Sequence, residues 1–184
     1  PDYAKKAAQM QYLYPNHDYY RELIKRYTPQ TRVNMNISGG TEKVKYFVNA
    51  AYLHQGGNLK VEPKSFLGYD PSAKMDRYSF RANLDYQVTK SFKAFLNLGT
   101  YIEQVNMPSG SAYPNTDTGW MMRDVLYQAT TITPITPGPY VDPYSGLDER
   151  VLVFPTYLDR SAMEVINRQG YHNDVNTSLN ATLG

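Results

Sequence analysis

Twelve consecutive residues, Arg77 to Val88, alternate without exception between two chemistries. Tyr78, Phe80, Ala82, Leu84, Tyr86 and Val88 occupy one set of positions; Arg77, Ser79, Arg81, Asn83, Asp85 and Gln87 occupy the other. Successive side chains of an extended chain point to opposite faces, so this run is a strand with one greasy face and one wet face. It is about twice as long as the ~5–6 residues of an ordinary globular strand and close to the ~9–11 that a tilted membrane strand needs.

Prolines decide where more such strands can run, because a proline cannot donate to a ladder. They stand at 1, 15, 29, 63 and 71 and seven times between 108 and 155, which leaves 30–62, 72–107 and 156–184 free. In the first block Val33, Met35 and Ile37 alternate with Arg32, Asn34, Asn36 and Ser38. Gly39-Gly40-Thr41-Glu42-Lys43 reads as a tight hairpin, and Val44, Tyr46, Val48, Ala50 and Tyr52 continue the pattern to about His54. After Thr89-Lys90-Ser91, a fourth strand carries Phe92, Ala94, Leu96, Leu98 and Ile102 on its apolar side. A fifth begins near Tyr171, with Val175, Thr177, Leu179, Ala181 and Leu183 alternating with Asp174, Asn176, Ser178, Asn180 and Thr182.

Composition removes several function classes. The 184 residues include no Cys, which excludes disulfides, thiolate metal sites and a cysteine nucleophile. A formal charge of +2, with Lys and Arg unclustered, gives no footprint for nucleic acid. The mean hydropathy of −0.58 and short apolar runs such as Val151-Leu152-Val153-Phe154 exclude a membrane-spanning helix. They do not exclude a membrane strand, whose alternation averages to a soluble-looking value. The opening Pro1-Asp2-Tyr3-Ala4-Lys5-Lys6 is not followed by the apolar stretch of a signal peptide.

The connections alternate short (39–43), long (55–75), short (89–91) and very long (106–170), as in barrels with short periplasmic turns and long outer loops. Tyr78 and Tyr86 lie eight residues apart on one face, roughly 20 Å along the membrane normal at ~3.3 Å per residue and ~40° tilt, near the spacing of two aromatic girdles. The expected fold is all-β: a partial transmembrane antiparallel β-barrel whose long extracellular loops contain short helices. Its parts would be a loop and helix over 1–30, hairpins over 31–54 and 76–105, loops over 55–75 and 106–170, and a strand over 171–184. A soluble or surface-attached β-sandwich that binds carbohydrate shows the same alternation and stands as the alternative.

Three segments, in order, carry a family likeness. Tyr14-Pro15-Asn16-His17-Asp18-Tyr19-Tyr20-Arg21-Glu22-Leu23 resembles a segment of SusC/RagA-type TonB-linked outer-membrane transporters of Bacteroidetes, with Tyr19 replacing the Trp usual there. Asn36-Ile37-Ser38-Gly39-Gly40-Thr41-Glu42-Lys43-Val44-Lys45-Tyr46-Phe47-Val48 resembles that family's Ser-Gly-Gly hairpin, and Arg77-Tyr78-Ser79-Phe80-Arg81-Ala82-Asn83-Leu84-Asp85 the strand that follows. The resemblance implies about five strands of a 22-stranded barrel in the bacterial outer membrane, taking up glycans or peptides. It implies a SusD-like surface lipoprotein as partner, and energy from the TonB complex through a plug that these residues do not include. Five strands cannot close even a barrel of ~8, so the rest of the same barrel and outer-membrane lipid are expected neighbours.

The loops hold the candidate binding residues. A helix is expected from Asn16 to Tyr27, capped by Asn16 or Asp18, with Tyr20, Leu23, Ile24 and Tyr27 on one face. Another is expected from Trp120 to Ala129, ahead of the Pro-rich run Thr133 to Tyr140. Tyr113, Trp120, Tyr140 and Tyr144 are platforms on which sugar rings or peptide side chains could stack. Asp142, Asp148 and Glu149 have oxygen ligands but no EF-hand spacing, so no metal is expected there, and no cofactor. No enzyme is expected either: His17, His54 and His172 lack zinc-binding spacing and read as solvent-facing, and there is no Gly-x-Ser-x-Gly elbow.

Overall fold

The computed structural model describes residues 15–109, 118–136, 140–141, 152–153 and 161–184. The chain divides into two compact units. One, built from residues 27–57, 73–107 and 173–184, is a sheet. Its strands are β1 (Gln30–Gly40), β2 (Val44–Gly56), β3 (Lys74–Gln87), β4 (Lys93–Pro108) and β7 (Tyr171–Leu183), paired in the order β1-β2-β3-β4-β7. Two further strands, β5 (Tyr140–Val141) and β6 (Leu152–Val153), pair only with each other.

The first three pairings are antiparallel and unbroken over 11 to 14 residues. Phe95 and Gly184 exchange both backbone hydrogen bonds, at 2.7 and 3.1 Å, which makes the β4–β7 ladder antiparallel too. Turn chemistry holds the first hairpin: the Thr41 N–H donates to the Val44 carbonyl at 2.6 Å, and the Thr41 hydroxyl accepts from the Lys43 and Val44 N–H groups. The second hairpin closes when Val88 and Thr89 both donate to the Phe92 carbonyl. The fold is thus all-β with a few short helices, as the alternation predicts. β4 runs on past Ile102 to Pro108, six residues beyond its apolar pattern, because ladder hydrogen bonds with Lys74–Arg77 do not depend on side-chain polarity.

The other unit, residues 1–26, 58–72 and 108–172, contains α1 (Tyr19–Leu23), α2 (Lys64–Leu67), α3 (Thr118–Thr131) and α4 (Ala162–Arg168). Helix α3 appears where expected, two residues longer at each end. Helix α1 is shorter than the Asn16–Tyr27 expectation. Ile24 is extended and forms a bridge with Leu59, supported by bonds from Lys25 N–H to Asn58 and from Lys60 N–H to Leu23. Those cross-chain bonds replace the next helical turn. Consequently Tyr19 and Leu23 are buried, while Tyr20 and Tyr27, expected on one helix face with Leu23, are 49% and 77% exposed.

Candidate functional site

The register gathers most apolar residues of the strands onto one face, with Phe47, Leu53, Phe95 and Tyr101 on the other. Val33, Tyr52, Tyr78 and Ile102 form one row; Met35, Ala50, Phe80 and Thr100 the next; then Ile37, Val48, Ala82 and Leu98; then Tyr46, Leu84 and Leu96. Counting from the Phe95–Gly184 pair adds Leu183 beside Leu96, Ala181 beside Leu98 and Leu179 beside Thr100. No charged residue interrupts this band across five strands. Tyrosines border it at both ends, Tyr52 and Tyr78 at one with rings 5.0 Å apart, Tyr46 and Tyr86 at the other. Just beyond Tyr52 and Tyr78 the chemistry turns polar: Asp76 accepts from the Tyr52 hydroxyl at 2.7 Å and contacts His54 Nδ1 at 2.8 Å. His54 is therefore paired, against the solvent-facing expectation.

The band is uncovered. Ile37, Leu84 and Leu179 are 58%, 41% and 69% exposed, and every buried apolar residue among those described belongs to the other unit. A sheet in water needs a covered face, and exposed apolar patches of this breadth mark contact with another apolar phase or partner. The opposite face carries Arg32, Asn34, Asn36, Asn49, Arg77, Arg81, Asn83, Asp85 and Asn97. Arg77 lies 4.3 Å over the Tyr101 ring and 3.7 Å from Glu103, while Lys93 pairs with Asp85 at 3.3 Å. The sheet is accordingly a wall between two media, with charged groups along the length of one side and, on the other, only beyond the tyrosines that border the band.

The helical unit has its own core of Leu23, Leu59, Val125, Ala129, Ala162, Val165 and Ile166. Asp18 caps α1 through the Arg21 N–H at 3.0 Å, and His17, also expected in solvent, contacts Glu22 at 2.7 Å. Tyr19 donates to the Thr136 carbonyl, and burial, helped by the Glu22 charge, pushes its hydroxyl up to about 12, which keeps it a donor into alkaline solution. Sequence reasoning missed α4, although Ser161 and Glu164 have the spacing of a capping box; the Ser161 hydroxyl accepts from the Glu164 N–H at 3.4 Å.

Asn167, 4% exposed, clasps the chain around α4: its side chain accepts from the Glu62 N–H at 2.8 Å and donates to Met163, while its carbonyl accepts from the Tyr69 hydroxyl at 2.6 Å. Asn167→Ala leaves the Glu62 N–H without this partner at a cost of about 1–3 kcal/mol. Limited proteolysis of the intact protein should then cleave 58–72 faster, whereas wild-type resistance would mean that Asn167 holds nothing in place.

Of the expected contact residues, Trp120 has its backbone in α3 and Tyr140 in β5. Their side chains, and all of Tyr113, Tyr144, Asp142, Asp148 and Glu149, lie outside the described residues. Among the described residues no three His, Asp or Glu side chains gather as a metal site.

No family profile matches the chain, and no solved structure does. Over 94 residues, 50% of this chain, the sequence is 28% identical to the TonB-dependent receptor P26 of Formosa agariphila, a stretch that covers 8% of that receptor.

Proposed function

We propose that the chain forms part of the wall of a TonB-linked importer in the bacterial outer membrane, of SusC/RagA type. The observation that carries this is the charge-free band, bordered by tyrosines, none of whose residues is buried. Lipid covers such a band without a second protein layer, and tyrosines belong at its two interfaces. The named relative supports the TonB-linked receptor part of this reading, and the order of the three family-like segments motivates the SusC/RagA type. A sandwich would instead require a second sheet on the band.

In this reading the turns at 41–43 and 88–92 are periplasmic, and 1–30, 55–75 and 106–170 are extracellular. The polar face lines the import path. The outer segments, with Tyr113, Trp120, Tyr140 and Tyr144, contact a SusD-like lipoprotein and a glycan or peptide, and the TonB complex supplies energy through a plug elsewhere in the receptor.

These 184 residues have no Cys, so single cysteines report position cleanly once any Cys elsewhere in the receptor is replaced. In the membrane-embedded receptor, Leu84→Cys should react with a bilayer-soluble maleimide and resist a charged one, and Asn83→Cys should do the reverse. Equal labelling of both by the charged reagent would favour the soluble sandwich.

A further inference from the structure

The polar face has one indentation that its own backbone does not require. Gly99 lies in the interior of β4, where glycine weakens a strand by roughly 0.5–1 kcal/mol relative to alanine. The usual local reasons for tolerating it are missing. Its backbone is outside the left-handed region, where the described glycines are Gly68 and Gly170. The β3–β4 register passes through Arg81 opposite Gly99 without a bulge, and a Cβ added at Gly99 would meet nothing within 4 Å. A strand glycine with neither role marks a place where a ligand or another chain approaches the sheet closely.

The walls indicate what approaches. Arg81, Asn83, Asn97, Asn180 and Thr182 surround Gly99. No acidic residue is among them, and no carboxylate among the described residues pairs with Arg81, whereas Arg77 and Lys93 on the same face each have one. An unopposed guanidinium beside side-chain amides on a rigid sheet suits a planar anion taken by two parallel N–H bonds. We propose that this notch is a carboxylate-binding subsite, with Arg81 gripping the carboxylate, Asn97 and Asn180 orienting it, and Gly99 leaving room for the chain that bears it. The carboxylate comes either from an Asp or Glu elsewhere in the receptor or from an anionic solute in the path. The inference rests on the polar face pointing into a water-filled interior.

Carbodiimide coupling separates these sources, because it joins an amine to a carboxylate with no spacer, so a pair held in contact couples above the level set by diffusional encounter. The full-length receptor carrying Arg81→Lys is treated with and without succinate, and the peptides are read by mass spectrometry. Arg32→Lys, on the same face, sets the background. Coupling at position 81 several-fold above that background, to one receptor Asp or Glu or to succinate only when it is added, supports the subsite and names the source. Adding Gly99→Val, which fills the notch and keeps the amine, should return coupling to background. Yields equal to the Arg32→Lys background, or undiminished by Gly99→Val, overturn the proposal. Heat-modifiable mobility is recorded on the same samples. If the wild-type receptor does not enter the membrane, the channel reading fails and the subsite with it; if it does, the coupling result judges the notch alone.

Discussion

In the proposed receptor, Leu84→Arg should abolish assembly into the outer membrane, while Asn83→Arg, one residue away, should assemble nearly as well as wild type. Leu84 sits between Tyr46 and Leu96 on the uncovered apolar band, and Asn83 sits between Phe47 and Asn97 on the polar face. A charge facing lipid near the midplane costs roughly 2–4 kcal/mol, a factor of about 30 to 900 in the assembly equilibrium. Arginine at position 83 joins a face that already carries Arg77 and Arg81, where water and amides solvate it. The comparison is read as the heat-modifiable fraction of receptor in outer-membrane preparations. Equal assembly of the two variants would contradict the assignment of the faces.

The second large effect is expected in the helical unit. Leu23, 1% exposed, joins α1 to a buried cluster whose other members come from residues 59, 125–129 and 162–166. Leu23→Ala removes buried methyl groups and leaves a cavity, at a cost of about 2–5 kcal/mol. Against the roughly 5–15 kcal/mol that holds a typical domain folded, such a loss is large. Limited proteolysis of the intact receptor should therefore cleave this unit much faster than in wild type, while heat-modifiable mobility stays unchanged. Unaltered proteolysis would mean that the cluster does not hold the unit together. Deleting 119–144, by the same logic, removes Val125 and Ala129 from that core and so reports on its packing as well as on binding.

The sheet was legible in the sequence because period-2 patterning at Arg77–Val88 and Thr31–Tyr52 acts locally and each face has one solvent. The Ser-Gly-Gly run located a hairpin because its backbone demands are local as well. The helical unit was legible only in part. Periodicity placed α3, but it put Tyr20 and Tyr27 on one helix face with Leu23, since nothing near Ile24 announces that Leu59, 35 residues away, will bridge to it. His54 and His17 looked solitary for the same reason: His54 meets Asp76 only through strand register, and His17 meets Glu22 only because α1 begins at Tyr19. The inward indentation at Gly99 was invisible until the register set Arg81 opposite it.

The two units also differ in how far along the chain their partners lie. Each of the first two hairpins closes through a turn of a few residues, so its ladder can zip from one end. The cluster around Leu23 cannot, because Leu23 must meet Ile166 across 143 intervening steps of chain, with four of the five sheet strands between them. Closing loops of that span is entropically costly before any contact rewards it. Loop-closure entropy therefore predicts that the helical unit consolidates after the hairpins have formed.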